Sequence, residues 1–223
     1  EIEFQCGTLV TQERVLLVEE SRKYFYKQLQ GMIYLGHEAR VTHGDECVYV
    51  NNEKFDYCID CTWGHLVPDD EFFFESTILL YYQKRDSSLK PKAFTFVDGP
   101  LCSLYPTENY DIVTLSSVPH TPIAKHSTSK EALNTIQNLS SNEIKEKKYL
   151  MEMQLMKYYP RFLDDYQYLR PQLSVKTKPF GNDDDRSCYV KKTGHLLKCL
   201  SGKIDNIFYA ASEVLSLIEG HQK

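Results

Sequence analysis

Residues 201–205, Ser-Gly-Lys-Ile-Asp, stand where an apolar run from Leu196 to Leu200 meets a helical pattern. The first turn of a helix leaves backbone N–H donors unpaired and carries partial positive charge, so it attracts phosphates and other electron-rich groups. Gly202 allows close approach, and Ser201 or Lys203 can add a donor. Asp205 at the same end also fits simple helix capping, in which case the turn is topology alone. Residues 61–64, Cys-Thr-Trp-Gly, close a second strand-like run. Gly64 would let the backbone pass close to a ligand or another chain segment, although the pattern equally fits an ordinary strand exit.

Other residues with chemical potential have plainer readings beside them. Cys58 and Cys61 form a C-x-x-C, but zinc needs a second ligand pair at tight spacing, and strand positions three apart point to opposite faces. The pair reads as two small buried residues, and no metal site is expected. His120, in "SSVPHTPIA", sits between prolines in a stiff turn and could face a pocket; Tyr105, in "LYP", could point into the same space. A surface histidine and a packed aromatic are the alternatives. Asp183-Asp184-Asp185 before Arg186 reads as a solvated turn. A serine nucleophile elbow, a G-x-x-x-x-G-K phosphate loop and a His-Glu zinc helix are all missing from the sequence.

These residues need elements to position them. Residues 19–30 follow a helical pattern with Tyr24, Phe25 and Leu29 apolar, and Gly31 stops it. Short alternating runs punctuated by Gly36, Gly44 and Asn51-Asn52 predict a β-meander feeding a more buried strand, Phe55 to Cys61. "EFFFESTILLYYQKR", "KAFTFVDG", "LCSLYP" and "YDIVTLSSV" predict an antiparallel sheet of about four strands. Residues 128–157 read as helical, with Ser127 or Thr128 as N-cap and Glu131 completing a capping box, broken into two helices at "NLSSNE". Met151, Leu155 and Met156 form a stripe that reads as core. "YYPRFLDDYQYLRP" ends the helical stretch. Strands around "LSVKTKPF", "RSCYVKK" and "HLLKCL" lead to a closing helix with Ile204, Ile207, Phe208, Ala211, Val214, Leu215 and Ile218 on its apolar stripe. The expected fold class is α+β: an α/β part, residues 1–66 and 176–223, around an inserted antiparallel sheet with helices, residues 67–175.

The 223 residues suffice for one large domain or two small ones, and 42% hydrophobic with 26% charged residues is ordinary for a soluble globular chain. A net charge of −5 without a long basic block argues against nucleic acid. No apolar run approaches the roughly 18 residues of a membrane span. Seven cysteines without framework spacing read as reduced thiols in a cytoplasmic setting. The start, Glu1-Ile2-Glu3-Phe4, lacks a methionine and reads like the middle of a longer protein.

In order, "FDYCIDCTWG", "VDGPLCSLYP", "VTLSSVPHTPIA", "DDDRSCYV" and "LSGKIDNIFYAASEVLSLI" resemble the later two-thirds of FAD-dependent oxidoreductases of the D-amino-acid-oxidase-like type. The resemblance implies FAD as cofactor, with Cys61, Thr62, Trp63 and Gly64 in the place of the family's Ala-Thr-Gly-like strand end. Ser201, Gly202, Lys203 and Ile204 match the turn that aims the final helix at the flavin pyrimidine edge. Tyr105, His120 and Arg186 stand nearest the substrate-contacting positions. The family's N-terminal G-x-G-x-x-G segment has no counterpart here, which implies that the missing FAD-binding segment is contributed by a longer chain or a partner chain, and that these residues alone hold FAD weakly. The implied activity is oxidation of a small amine or hydroxyl-bearing substrate by hydride transfer to flavin. A non-catalytic binding module derived from such an enzyme, and a hydrolase using His120, are the alternatives.

Overall fold

A computed structural model describes residues 7, 9–12, 14–66, 71–90, 92–97, 99–181 and 187–220. The elements are helix α1 (Val18–Gln28), strands β1 (Val41–His43), β2 (Val48–Val50), β3 (Glu53–Phe55), β4 (Cys58–Asp60), β5 (Phe72–Lys84), β6 (Phe94–Phe96), β7 (Cys102–Pro106), β8 (Ile112–Ser117) and β9 (Pro122–His126), helices α2 (Ser129–Gln137), α3 (Ser141–Met156) and α4 (Phe162–Asp165), strands β10 (Tyr166–Pro179), β11 (Cys188–Thr193) and β12 (Leu196–Ser201), a 3₁₀ turn (Ile204–Asn206), and helix α5 (Ile207–Glu219). Helices and strands thus form the expected α+β fold. The chain divides into two compact units: Glu1–Ile33 with Ser76–Lys125 and Ala132–Val175, and Tyr34–Glu75 with His126–Glu131 and Lys176–Lys223. The division cuts through β5 and β10, and it groups α1 with the sheet-bearing unit instead of with residues 34–66.

In the first unit the sheet runs β10-β5-β8-β7-β6, with β9 also paired to β5. It has two strands more than the four expected. Alternation explains its two faces. Leu80, Tyr82, Leu104, Val113 and Leu115 point to one side and are buried with Met151, Leu155 and Phe162. Helix α3 covers that side, packing on β7 and β8. The methionine stripe is core: Met151 and Leu155 are fully buried. Buried Glu152 accepts from the Tyr82 hydroxyl at 2.8 Å and pairs with Lys148 at 2.8 Å. Together with burial, this carboxylate holds the Tyr82 phenol far above its ordinary pKa.

Both helix starts follow the sequence signals. Thr128 and Glu131 exchange hydrogen bonds at 3.2 Å each. The break at 138–140 begins α3 with a reciprocal box, in which Ser140 Oγ accepts from Glu143 N at 3.2 Å and Glu143 Oε2 accepts from Ser140 N at 2.9 Å. Two expectations fail here. The helical stretch ends with α4 at Asp165, and "YQYLRP" is already strand, since β10 starts at Tyr166; its Pro171 is tolerated because β10 ends the sheet order and needs no donor on its outer edge. Helix α1 forms where expected but buries none of its residues, so Tyr24, Phe25 and Leu29 stay exposed.

The second unit holds the antiparallel meander β1-β2-β3 and a separate three-stranded sheet, β11-β12-β4. Strands β11 and β12 form a hairpin around Gly194, whose φ of +58° suits a two-residue loop. Strand β12 pairs parallel with β4, matching Leu196 to Cys58, Leu197 to Ile59 and Lys198 to Asp60. Helix α5 packs on β11 and β12 through Ala210 and Val214. The expected buried strand Phe55–Cys61 is instead the end of the meander plus a short edge strand, in which only Asp60 is buried. The closing stripe is also rephased, because Ala211 and Leu215 are exposed. Among the described residues no helix is long and apolar enough to cross a membrane.

The buried stripe of α3 can be checked by chemical denaturation. Met151→Ala is expected to lower stability by about 2–5 kcal/mol, as for buried large-to-small changes, whereas Met153→Ala, two residues on and exposed, should change it by under about 1 kcal/mol.

Candidate functional site

Because β4 and β12 run parallel, their C-terminal ends emerge at the same edge of one sheet. That edge is where open sheets with parallel strands bind ligands. It brings together the two segments that sequence reading singled out, residues 61–64 and 201–204.

The turn after β4 is built around Asp60, which is only 3% exposed. Its Oδ1 accepts from Thr62 N at 2.8 Å and from Thr62 Oγ1 at 2.6 Å, and Thr62 Oγ1 in turn accepts from Leu66 N at 2.9 Å. An Asx turn of this type competes with continued strand and ends β4. Trp63 and Gly64 then both adopt left-handed backbone, with φ of +60° and +76°. For tryptophan this conformation costs about 1–3 kcal/mol and persists only where neighbours enforce it. The enforcing contact is Thr177 Oγ1, at the end of β10, which donates to Trp63 O at 2.6 Å. A Cβ on Gly64 would meet Phe74 and Thr177 at an ordinary 3.7 Å, so the left-handed backbone, not lack of room, favours glycine there.

The other segment leaves β12 through Gly202 and an extended Lys203, φ −144° and ψ 152°. The 3₁₀ turn follows, closed by Asn206 N donating to Lys203 O at 3.2 Å, and α5 begins at Ile207, three residues later than the periodicity suggested. No side chain caps either start. The N-cap positions are Lys203 and Asn206, so Asp205 is not the capping residue. Ile204 and Phe208 are exposed beside them.

Behind the edge lies a cavity of about 80 Å³ lined by Asp60, Gly64, Phe72, Tyr189, Lys198 and Leu200. Asp60 Oδ2 is buried without a hydrogen-bond partner among the described residues.

Tyr105 and His120 do not meet. Tyr105, on β7, projects from the sheet face opposite the core; its hydroxyl pairs with Thr95 Oγ1 at 2.6 Å, and its register partner is Thr114. Tyr81 shares that face, donating to Gln172 Oε1 at 2.6 Å, with the Arg170 guanidinium 4.5 Å from its ring centre. Nothing in the sequence singled out Tyr81, Arg170 or Gln172; strand alternation from Leu80 and Tyr82 was the available signal. His120 lies on the helix side of the sheet, in a pocket with Pro100, Leu150, Met153 and Gln154. Burial, and then the nearby Lys147 charge, push its pKa below the ordinary histidine value. Arg186, the Asp183–Asp185 run and the side chain of Ser201 lie outside what the structure describes. Cys61 is exposed, not buried as expected. Among the described residues no group of three or more His, Cys, Asp or Glu side chains could hold a metal ion.

No protein-family model matches the chain. It is 44% identical over 215 residues to an FAD-dependent monooxygenase, FPY4, of Fusarium mangiferae, covering 96% of the chain and 58% of that protein. Among solved structures, an FAD-dependent oxidoreductase of Pseudomonas aeruginosa superposes with a TM-score of 0.59 at 10% identity, covering 91% of this chain and 57% of that one. A thermally stable fructosyl peptide oxidase mutant superposes with a TM-score of 0.52 at 13% identity, covering 80% and 46%. The chain spans less than two thirds of each of these proteins.

Two outcomes test the local chemistry. Thr177→Val keeps the shape but strands the Trp63 carbonyl, and should cost about 1–2 kcal/mol in urea unfolding. In NMR titration His120 should protonate below about pH 6.5, and Lys147→Ala should raise that midpoint, since a removed positive charge favours imidazolium. A neutral, half-buried His120 stabilises the fold above its unfolded pKa, and this contribution falls as pH drops through the lowered folded pKa.

Proposed function

We propose that this chain, a relative of FAD-dependent oxidoreductases by sequence and by fold, supplies the flavin-edge and substrate-covering part of such an enzyme. The observation that carries the proposal is the parallel pairing of β4 with β12, which sets residues 61–64 and 201–204 at one sheet edge. The residues fit an electron-rich ring edge. The start of α5 carries the partial positive charge of a helix N-terminus, Lys203 adds positive charge, and the clamped Trp63–Gly64 turn presents fixed backbone with little side-chain bulk at Gly64. When bound, FAD would supply the redox chemistry, accepting a hydride from a C–H bond next to an amine or hydroxyl.

The chain's own work is placement and electrostatics. Helix-end and Lys203 charge would stabilise negative charge on the ring edge nearest Gly202. Trp63, 42% exposed at the turn, would wall the ring and limit water.

The test is made in the full-length protein. Gly202→Val puts a branched Cβ where the ring edge approaches and should sharply lower bound flavin per protein while leaving the melting transition in place. Lys203→Ala removes one exposed charge but no N–H donor, costing about 0.3–1 kcal/mol, or roughly two- to fivefold in affinity. Wild-type flavin content in both variants would mean that the junction is topology alone.

A further inference from the structure

Three cysteines from three strands meet on one face of the β11-β12-β4 sheet. Asp60 pairs with Lys198 in parallel register, so Cys61, the next residue, stands beside Cys199. Residues in register on adjacent strands lie about 4.8 Å apart, inside the Cα separation that a disulfide accepts. The thiols of Cys61 and Cys199 shift each other's ionisation, and Cys188 acts on Cys199 as well. Cys188 pairs with Ser201 and Val190 with Cys199, so Cys188 is diagonal to Cys199, at the longer separation of about 7–8 Å that diagonal residues have. Cys58 is on the opposite side of β4. Cys61 is exposed, whereas Cys199 is half-buried.

We infer that Cys61 and Cys199 form an oxidative modification site: a hydroperoxide converts this pair to an intramolecular disulfide. The Cys61 thiolate attacks the terminal peroxide oxygen, the O–O bond breaks, Cys61 becomes a sulfenic acid, and the alcohol or water leaves. The Cys199 sulfur then attacks the Cys61 sulfur, the S–O bond breaks, and water departs with the Cys199 proton. The peroxide is reduced by two electrons, and the two thiols together lose two. The roles follow from access and hydrogen bonding. Cys61 meets solvent, and the Cys199 S–H donates to an ionised Cys61, while burial and its neighbours raise the Cys199 pKa to about 11. Burial also raises the Cys61 pKa, so the first step should quicken as pH rises, about tenfold per unit while the thiol form dominates. The new bond would tie the exit of β4 to β12 immediately before the left-handed turn at Trp63.

The experiment treats the full-length protein with hydrogen peroxide, alkylates remaining thiols, and maps peptides without reduction. Exposed Met32 is the dose marker through its sulfoxide. The expected result is a Cys61–Cys199 peptide pair as the main crosslink, reversed by dithiothreitol and formed faster at pH 8.5 than at pH 7. Cys199→Ser should leave Cys61 as a sulfenic acid that dimedone captures, and Cys61→Ser should leave Cys199 alkylatable. The inference is overturned if both thiols of the unmutated protein are still alkylated once Met32 is oxidised, or if Cys188–Cys199 or an intermolecular pair dominates. Because the unmutated protein gives the deciding map, misfolding of a variant would not obscure the answer.

Discussion

The parallel register of β4 with β12 is the constraint on which the candidate site depends. Cys58 and Leu196 are far apart in sequence, so their pairing closes a long loop of chain. Parallel strands require such a crossover, and here the crossover includes most of the other compact unit. Once the register is set, everything that follows β4 and β12 leaves by the same edge. The Trp63–Gly64 turn, the Lys203 junction and the Cys61–Cys199 contact are all consequences of it.

The turn after β4 shows how a weak local preference becomes a fixed geometry. Asp60 is buried, yet it spends one carboxylate oxygen on ending its own strand through Thr62. Left-handed tryptophan is unfavourable, and Thr177, more than a hundred residues on, donates the hydrogen bond that holds it. A strained, aromatic, half-exposed residue clamped from a distant strand is what one expects where backbone position matters more than local ease. The junction after β12 works differently. It passes through extended backbone at Lys203, and its property is the partial positive charge at the start of α5.

In the sheet-bearing unit the two faces have separate duties. One is apolar and carries the stability, with α3 laid across β7 and β8 and a charged network, Tyr82–Glu152–Lys148, satisfied inside it. The other displays hydroxyls and a guanidinium–aromatic contact. Strand alternation alone separates Leu104 from Tyr105 and Tyr82 from Tyr81, so the chemistry of one face can vary without disturbing the core of the other.

Local signals were legible wherever the physics is local. The capping box at Thr128, the helix break at 138–143, the buried methionine stripe, the meander, the α+β class and the strand-to-helix joint at Gly202 all follow from side-chain hydrogen bonding, periodicity and backbone freedom within a few residues. The resemblance that pointed to a flavin fold was legible too, because it rests on residue order. Tertiary structure alone decided which faces are used and what meets what. It exposed α1 and its aromatics, rephased α5 onto Ala210 and Val214, turned Tyr166–Pro171 into strand, parted Tyr105 from His120 across the sheet, and joined Cys61 to Cys199. Burial and long-range register are properties of the assembled neighbours. The same periodic sequence can satisfy several of them until the partner strand arrives.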